Sequence, residues 1–193
     1  MTSLILKSKS LIRNHIKVFH KLSKRSLFTG EIESNLGIND NEPKIGTYCS
    51  VIHEFPQEDV NTFSTICGDN NPLHINPEYA QTTMFKGPIV HGILVSSLFS
   101  TLFGRRIKGS IYVSQSLEFK RPVYVGDRIK AHMEVIKKED RKKGALLTCS
   151  TTIYFHNDDN NHSDNTDSSG DNIDSNSKVA VTGTAQVLLP RSS

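Results

Sequence analysis

The segment from Pro88 to Phe103 (Pro-Ile-Val-His-Gly-Ile-Leu-Val-Ser-Ser-Leu-Phe-Ser-Thr-Leu-Phe) narrows the folds open to this chain more than any other stretch. Wound as a helix it is apolar on nearly every side, with Ser96, Ser97, Ser100 and Thr101 as small hydroxyl residues among larger aliphatic and aromatic ones. A helix apolar all round is expected to be buried all round. The run is shorter than the roughly 20 residues that cross a bilayer, so its place is a protein core. No stable membrane insertion is expected.

The residues beyond Phe103 indicate how the helix is buried. Four stretches rich in β-branched and aromatic residues occupy 110–120, 127–138, 145–156 and 178–189. Turns at 121–127 and 139–144 separate the first three. Strands in series without intervening helices favour an antiparallel sheet. Only a sheet that curls around the helix covers more than one of its faces, so the expected class is α+β, an antiparallel β-sheet wrapped around a long buried helix. Upstream, 46–54 reads as a first strand and 57–66 as a short helix ended by Gly68. Residues 77–82 read as a further turn of helix after the Asn76-Pro77 break. The domain is placed at 44–190.

Two segments stand apart from the rest of the chain, and the second of them lowers its hydrophobic fraction to 36%. In the first, residues 4–25 placed on a helical wheel separate into two arcs. Leu4, Ile5, Leu11, Ile12, Ile16, Val18, Phe19 and Leu22 share one; Lys7, Lys9, Arg13, Lys17, Lys21, Lys24 and Arg25 share the other. A basic amphipathic helix with serines and no acid before Glu31 has the composition of a mitochondrial transit peptide, assigned to 1–34 with cleavage between Arg25 and Asn35. The expected location is the mitochondrial matrix. In the second segment, 157–177, Asn, Asp and Ser dominate, with six aspartates and no Lys or Arg. It buries too little apolar surface to offset the entropy of ordering it and reads as a disordered insertion between the last two strands. His162 there lacks the rigid spacing a metal site needs.

The formal charge of +3 comes from the first segment. Setting aside its seven basic residues leaves 16 basic against 20 acidic, a net −4, so charge supplies no case for a nucleic-acid partner. The basic cluster at 137–143 also carries Glu139 and Asp140 and reads as a solvated turn. Cys49, Cys67 and Cys149 match no zinc or disulfide spacing, and a reducing compartment is expected.

The chemistry concentrates in Gly68-Asp-Asn-Asn-Pro-Leu-His74. Pro72 fixes its own φ and biases Asn71 away from helix, and Gly68 permits a sharp exit from the preceding helix. A stiff loop with a carboxylate at Asp69 and an imidazole at His74 can aim both at one water molecule. Taken alone, the two residues are ordinary for a loop and read as a structural cap and a hydrogen-bonded histidine. Gly92 falls in the first turn of the apolar helix, where backbone N–H groups lack intrahelical partners and the helix dipole favours negative charge. Lacking a Cβ, it serves either close helix–sheet contact or close approach of a ligand. His91 reads as structural, and Tyr112, Phe119 and Tyr124 as core or interface aromatics.

The string Gly68-Asp69-x-Asn71-Pro72-x-His74 resembles the signature of the (R)-specific enoyl-CoA hydratase family, the MaoC-like dehydratases. The resemblance extends through Phe85-Lys-Gly-Pro-Ile-Val-His-Gly92, Gly109-Ser-Ile-Tyr112, Gln115-Ser-Leu-Glu-Phe-Lys120, Pro122-Val-Tyr-Val-Gly-Asp127 and Val181-Thr-Gly-Thr184. It covers roughly 47–189 apart from the polar insertion. Cys67 departs from it, standing where a small residue such as Ser is usual. The resemblance implies a hot-dog fold, a homodimer, no metal and no cofactor. It implies Asp69 and His74 as the catalytic pair, Asn71 as a supporting residue and the Gly92 N–H as oxyanion donor. The implied reaction is reversible conversion of a (3R)-3-hydroxyacyl thioester to a trans-2-enoyl thioester and water, on acyl carrier protein or coenzyme A. With the mitochondrial address, that points to mitochondrial fatty acid synthesis. A hydratase linked to β-oxidation and a non-catalytic acyl-binding hot-dog protein are the alternatives; retention of both Asp69 and His74 speaks against the second.

Overall fold

Six strands form one antiparallel sheet in the order β1-β2-β4-β5-β6-β3. The computed structural model describes residues 30–36, 42–142, 144–156 and 179–190. The amphipathic segment 4–25 and the insertion 157–177 lie outside those residues. The strands are β1 (Ile32–Ser34), β2 (Tyr48–Glu54), β3 (Ile111–Phe119), β4 (Arg128–Arg141), β5 (Gly144–Phe155) and β6 (Val179–Pro190). All five expected strands are present. β1, pairing with β2 through Ile32 opposite Val51, is additional. It falls inside 1–34, so the boundary expected for the N-terminal address takes in a strand of the sheet.

The turn between β4 and β5 is tighter than expected. Pairing continues through Glu139–Leu146 and Asp140–Ala145 to Arg141–Gly144, because the ladder satisfies backbone groups that a longer loop would leave to water. Lys137 and Arg141 both pair with Glu139 on the surface and hold its carboxyl below the usual carboxylate range. The cluster is a solvated hairpin end, as its mixed charge suggested.

Helix α1 (Gln57–Cys67) ends on Gly68, whose φ of 80° is the left-handed geometry that favours glycine. The short helices α2 (Pro72–Ile75) and α3 (Pro77–Thr82) come next. The apolar segment yields α4 (Gly92–Arg106), four residues later than Pro88. Its first residues are extended instead. The Val90 N–H goes to Val123 O at 2.8 Å, and Ile89 bridges to Tyr124.

Helix α4 supplies the centre of the core. Val95, Leu98, Phe99, Leu102 and Phe103 are buried, with Val51, Ile129, Met133, Leu147, Ile153 and Val187 of the sheet in the same cluster. Burial on every face does not hold within one chain. Ile93 is 60% exposed, and Ser97, Ser100 and Gly104 are exposed along the same side of the helix. The sheet covers one side only, and the small residues gather on the other. Their hydroxyls turn back onto the helix, Ser97 to Leu94 O and Thr101 to Ser97 O, so the bare side presents few free polar groups. No helix among the described residues is long and apolar enough to cross a membrane. The three cysteines are free; burial pushes the thiols of Cys49 and Cys149 up to about 12.

Candidate active site

The segment between α1 and α3 is stiffened by its own side chains. Asn71 caps α2, its Oδ1 accepting the Leu73 N–H at 3.1 Å, and Pro72 occupies the first helical position, where a missing N–H costs nothing. Asn76 repeats the device ahead of Pro77, accepting the Tyr79 N–H at 3.0 Å. Asp69 Oδ1 accepts the Asn71 N–H at 3.2 Å, and the Asp69 N–H reaches Cys67 Sγ at 3.4 Å. Gln57, from the start of α1, donates to His74 O at 2.8 Å and ties α2 to the longer helix.

Asp69 is exposed, and His74 is 8% exposed. His74 Nδ1 lies 2.7 Å from Ile89 O. A carbonyl oxygen only accepts, so the proton sits on Nδ1, and in the neutral ring Nε2 offers a lone pair. The backbone that fixes this tautomer is itself fixed, since the Ile89 N–H donates to Leu73 O at 3.2 Å.

His74 opens on a cavity of about 400 Å³, lined also by Gly92, Val95, Phe119, Val123 and Val181. Gly92 is the first residue of α4, whose N-terminus carries no side-chain cap. A Cβ on Gly92 would lie 2.6 Å from a ring carbon of Phe119. The missing side chain therefore makes room for an aromatic ring and, at the same position, exposes uncapped helix N–H groups to the cavity. The packing reading of Gly92 has its counterpart in the Phe119 contact. Phe119 is 50% exposed and lines the cavity, and Tyr112 is 39% exposed, tilted against Phe103. Neither is a core residue, because β3 is an edge strand that the chain covers on one side only.

His91 is the member of the site that sequence reasoning set aside. It is 3% exposed, stacks on His74 with ring centroids 3.8 Å apart, and places Nε2 2.9 Å from Asp69 O. The only signal available was its place just before Gly92 in the Val-His-Gly string.

Donor atoms of Asp69, His74 and His91 all lie within 4.8 Å of one another. The arrangement nevertheless fits acid–base work better than metal binding. His74 Nδ1 and His91 Nε2 are both committed to carbonyls, and with planes only 29° apart the in-plane lone pairs run side by side rather than converging. A tetrahedral ion needs donors aimed at one point about 2 Å from each. A second cleft of about 390 Å³ along β1, β2 and β4 includes Glu33, Ser50, Arg128 and Lys130. Lys130 pairs with Glu33 at 3.1 Å, and none of the residues of the Asp69–His74 segment lines that cleft.

Comparison with known proteins gives the family and the fold. The family model described as MaoC like domain matches residues 39–153, so the Val181-Thr-Gly-Thr184 block lies beyond the matched span. An (R)-specific enoyl-CoA hydratase of Aeromonas caviae is 45% identical over 107 residues, 54% of this chain and 80% of that protein. The mitochondrial 3-hydroxyacyl-[acyl-carrier-protein] dehydratase FERN of Solanum lycopersicum is 35% identical over 130 residues, 67% of this chain and 79% of that protein. Among solved structures, the (R)-hydratase from A. caviae involved in PHA biosynthesis superimposes with a TM-score of 0.62 at 38% identity, covering 76% of this chain and 97% of that one. The sheet curled against α4 is thus the hot-dog fold, and with the family match spanning more than half its length this chain belongs to the family of MaoC-like domains.

Proposed function

We propose that this chain interconverts 3-hydroxyacyl and trans-2-enoyl thioesters by removing or adding water, with Asp69 and His74 as the catalytic pair. One observation carries the reading: Ile89 O holds Nδ1 of the His74 ring, which leaves Nε2 to exchange protons, on a side chain that lines the cavity and has a donor atom within 4.8 Å of the Asp69 carboxylate. In hydration, a water held between the two groups adds its hydroxyl to C3, the pair takes the released proton, and C2 receives a proton from the pair. Dehydration runs the same steps backwards. Charge that develops on the thioester oxygen is met by the Gly92 N–H at the α4 N-terminus. Asn71 acts at one remove, shaping the loop and binding Asp69 through its N–H.

The partner is an acyl thioester on acyl carrier protein, and the setting is fatty acid synthesis in the mitochondrial matrix. The basic amphipathic N-terminus and the relative named as a mitochondrial acyl-carrier-protein dehydratase support this. Cleavage that leaves the sheet intact falls before Ile32, where β1 begins. The bare side of α4, with Ile93, and the exposed Ile111 and Val113 of β3 support a homodimer that covers them. The coenzyme A reading draws on the relative named as an enoyl-CoA hydratase. Purified full-length protein offered C4, C8 and C16 3-hydroxyacyl substrates on each carrier tests both readings. Turnover on acyl carrier protein at higher kcat/KM than on coenzyme A is expected; the reverse preference favours the second reading, and no turnover on either carrier defeats the assignment.

A further inference from the structure

His91 sits 22 residues from Asp69 in sequence, yet its contacts converge on the Asp69–His74 pair. As N-cap of α4 it occupies the position whose side chain commonly binds the helix's first N–H groups, and it makes no such bond. The ring turns the other way. Nε2 meets Asp69 O at 2.9 Å, one face stacks on His74, and Phe63 stands against the ring at 5.2 Å with planes inclined 63°. Because the Asp69 carbonyl only accepts, His91 carries its proton on Nε2. Nδ1 is buried without a hydrogen-bond partner among the described residues.

These contacts answer two mechanical needs. Asp69 is exposed on a loop, its Oδ1 takes the Asn71 N–H, and a grip on its main chain adds restraint without occupying the second carboxylate oxygen. Its carbonyl receives two donors, His91 Nε2 and Ser64 Oγ, the latter at 2.8 Å. His74 has a single ring bond, at Nδ1, about which the imidazole could still tilt; a parallel ring 3.8 Å away restrains that tilt. We propose that His91 is a positioning residue: its N–H sets where the Asp69 carboxylate stands, and its ring face sets the plane in which His74 Nε2 points. It touches no reacting atom. The proposal rests on the reading of Asp69 and His74 as the catalytic pair. A misplacement of about 1 Å in such a site costs on the order of 10²-fold in rate.

The test compares three variants of the full-length protein. His91→Gln keeps an N–H donor near the Nε2 position but no ring; His91→Phe keeps a ring but no donor; His91→Ala keeps neither. Expected are losses in kcat of about 10-fold for His91→Gln, up to about 10²-fold for His91→Phe and beyond that for His91→Ala, with KM within roughly threefold throughout. Turnover per folded molecule is read alongside the melting curve, so losses that merely follow the folded fraction overturn the proposal. A His91→Gln variant as impaired as His91→Ala also overturns it, since the N–H to Asp69 would then position nothing. So does wild-type kcat in His91→Phe.

Two measurements need no substrate and separate this proposal from the reaction assignment. Long-range ¹H–¹⁵N correlations of the resting protein should show His91 as the Nε2–H tautomer and His74 as the Nδ1–H tautomer; the opposite tautomer at His91 overturns the proposal. Amide ¹⁵N relaxation across Asp69–Asn71 should reveal added motion in His91→Phe and little in His91→Gln, and equal relaxation in both overturns it. Wild-type protein inactive on every thioester but passing both measurements would defeat the assigned reaction and leave the positioning role standing.

Discussion

The loop from Gly68 to Asn76 and the junction at His91–Gly92 meet at Asp69 and His74, the proposed catalytic pair, but are held in different ways. In the loop, the bonds that shape the turns span only two residues, Asp69 to Asn71, Asn71 to Leu73 and Cys67 to Asp69, while Gln57 and Ile89 tie its far end, His74, to the rest of the domain. At the junction they are long-range. His91 reaches Asp69, Gly92 packs on Phe119 of β3, and the backbone of Ile89 and Val90 is laced to Leu73 and Val123. The loop therefore brings its shape with it, whereas the junction acquires its role only when α4 docks. A local device fails locally when broken; a docked one fails by changing what it leans on.

The contrast is tested hardest within the loop. Asp69→Asn and His74→Ala should each lower turnover by about 10² to 10⁴-fold, the range typical of positioned acid–base groups. The double variant should be little worse than either single one if both act on one water. Melting temperature should stay near that of the unaltered protein, because neither side chain contributes to the apolar core. Retention of more than about a tenth of the rate by both single variants would remove the pair from the mechanism.

At the junction, Gly92→Ala should cost less, about tenfold in kcat/KM, because the N–H survives and the half-exposed Phe119 ring can swing aside. Adding Phe119→Leu separates the two uses of the glycine. If the second substitution restores rate as well as stability, Gly92 is there for packing; if it restores stability alone, close approach of the thioester is what the glycine provides. Smaller again is Asn71→Ala, which removes the α2 cap. A loss of about 1 kcal/mol, the usual cost of an Asn cap, should appear as a melting shift of a few degrees. Its rate should fall severalfold; a rate unchanged by losing the cap would show that the loop holds without it.

The smallest effect lies away from the site. Burial pushes the His53 imidazole below its usual value, and it pushes His132 the same way. The unfolded chain then binds these protons more readily than the folded one. This contribution to stability is full above about pH 6.5 and declines as pH falls below that toward the lowered folded value. Urea midpoints from pH 7 to 5 should therefore drop, and His53→Phe should flatten part of the drop. An unchanged slope would mean that His53 titrates alike in both states.

The same division between local and docked decides what could be read from sequence. The stiffness of the loop was legible in Gly68 and the two Asn-Pro pairs. The candidate roles of Asp69, Asn71 and His74 came instead from the resemblance of the whole string to a family signature, since an Asp and a His in a loop alone declare no chemistry. Long strands showed through their residue types, but β1 did not: three residues among Glu31, Glu33 and Asn35 carry no pattern long enough to count. The start of α4 was misplaced because Pro88 suits an N-terminus, whereas long-range bonds of Pro88, Ile89 and Val90 to Val125, Leu73 and Val123 keep that stretch extended. Its bare side escaped notice because a helical wheel records polarity, not how far a sheet of one chain can reach. His91 looked structural since nothing near it in sequence announces a partner 22 residues upstream.

The Asn-Pro doublets have one more consequence. Since the Gly68–Asn76 loop supplies its own caps and turns, the exposed wall of the cavity, Ile93 of α4 and Phe119 of β3, can change without disturbing those caps. Chemistry and fit are thus written on separable lengths of chain. A lineage, or an engineer, can reshape which molecules enter by exchanging aliphatic and aromatic residues on that wall while the reaction performed stays the same.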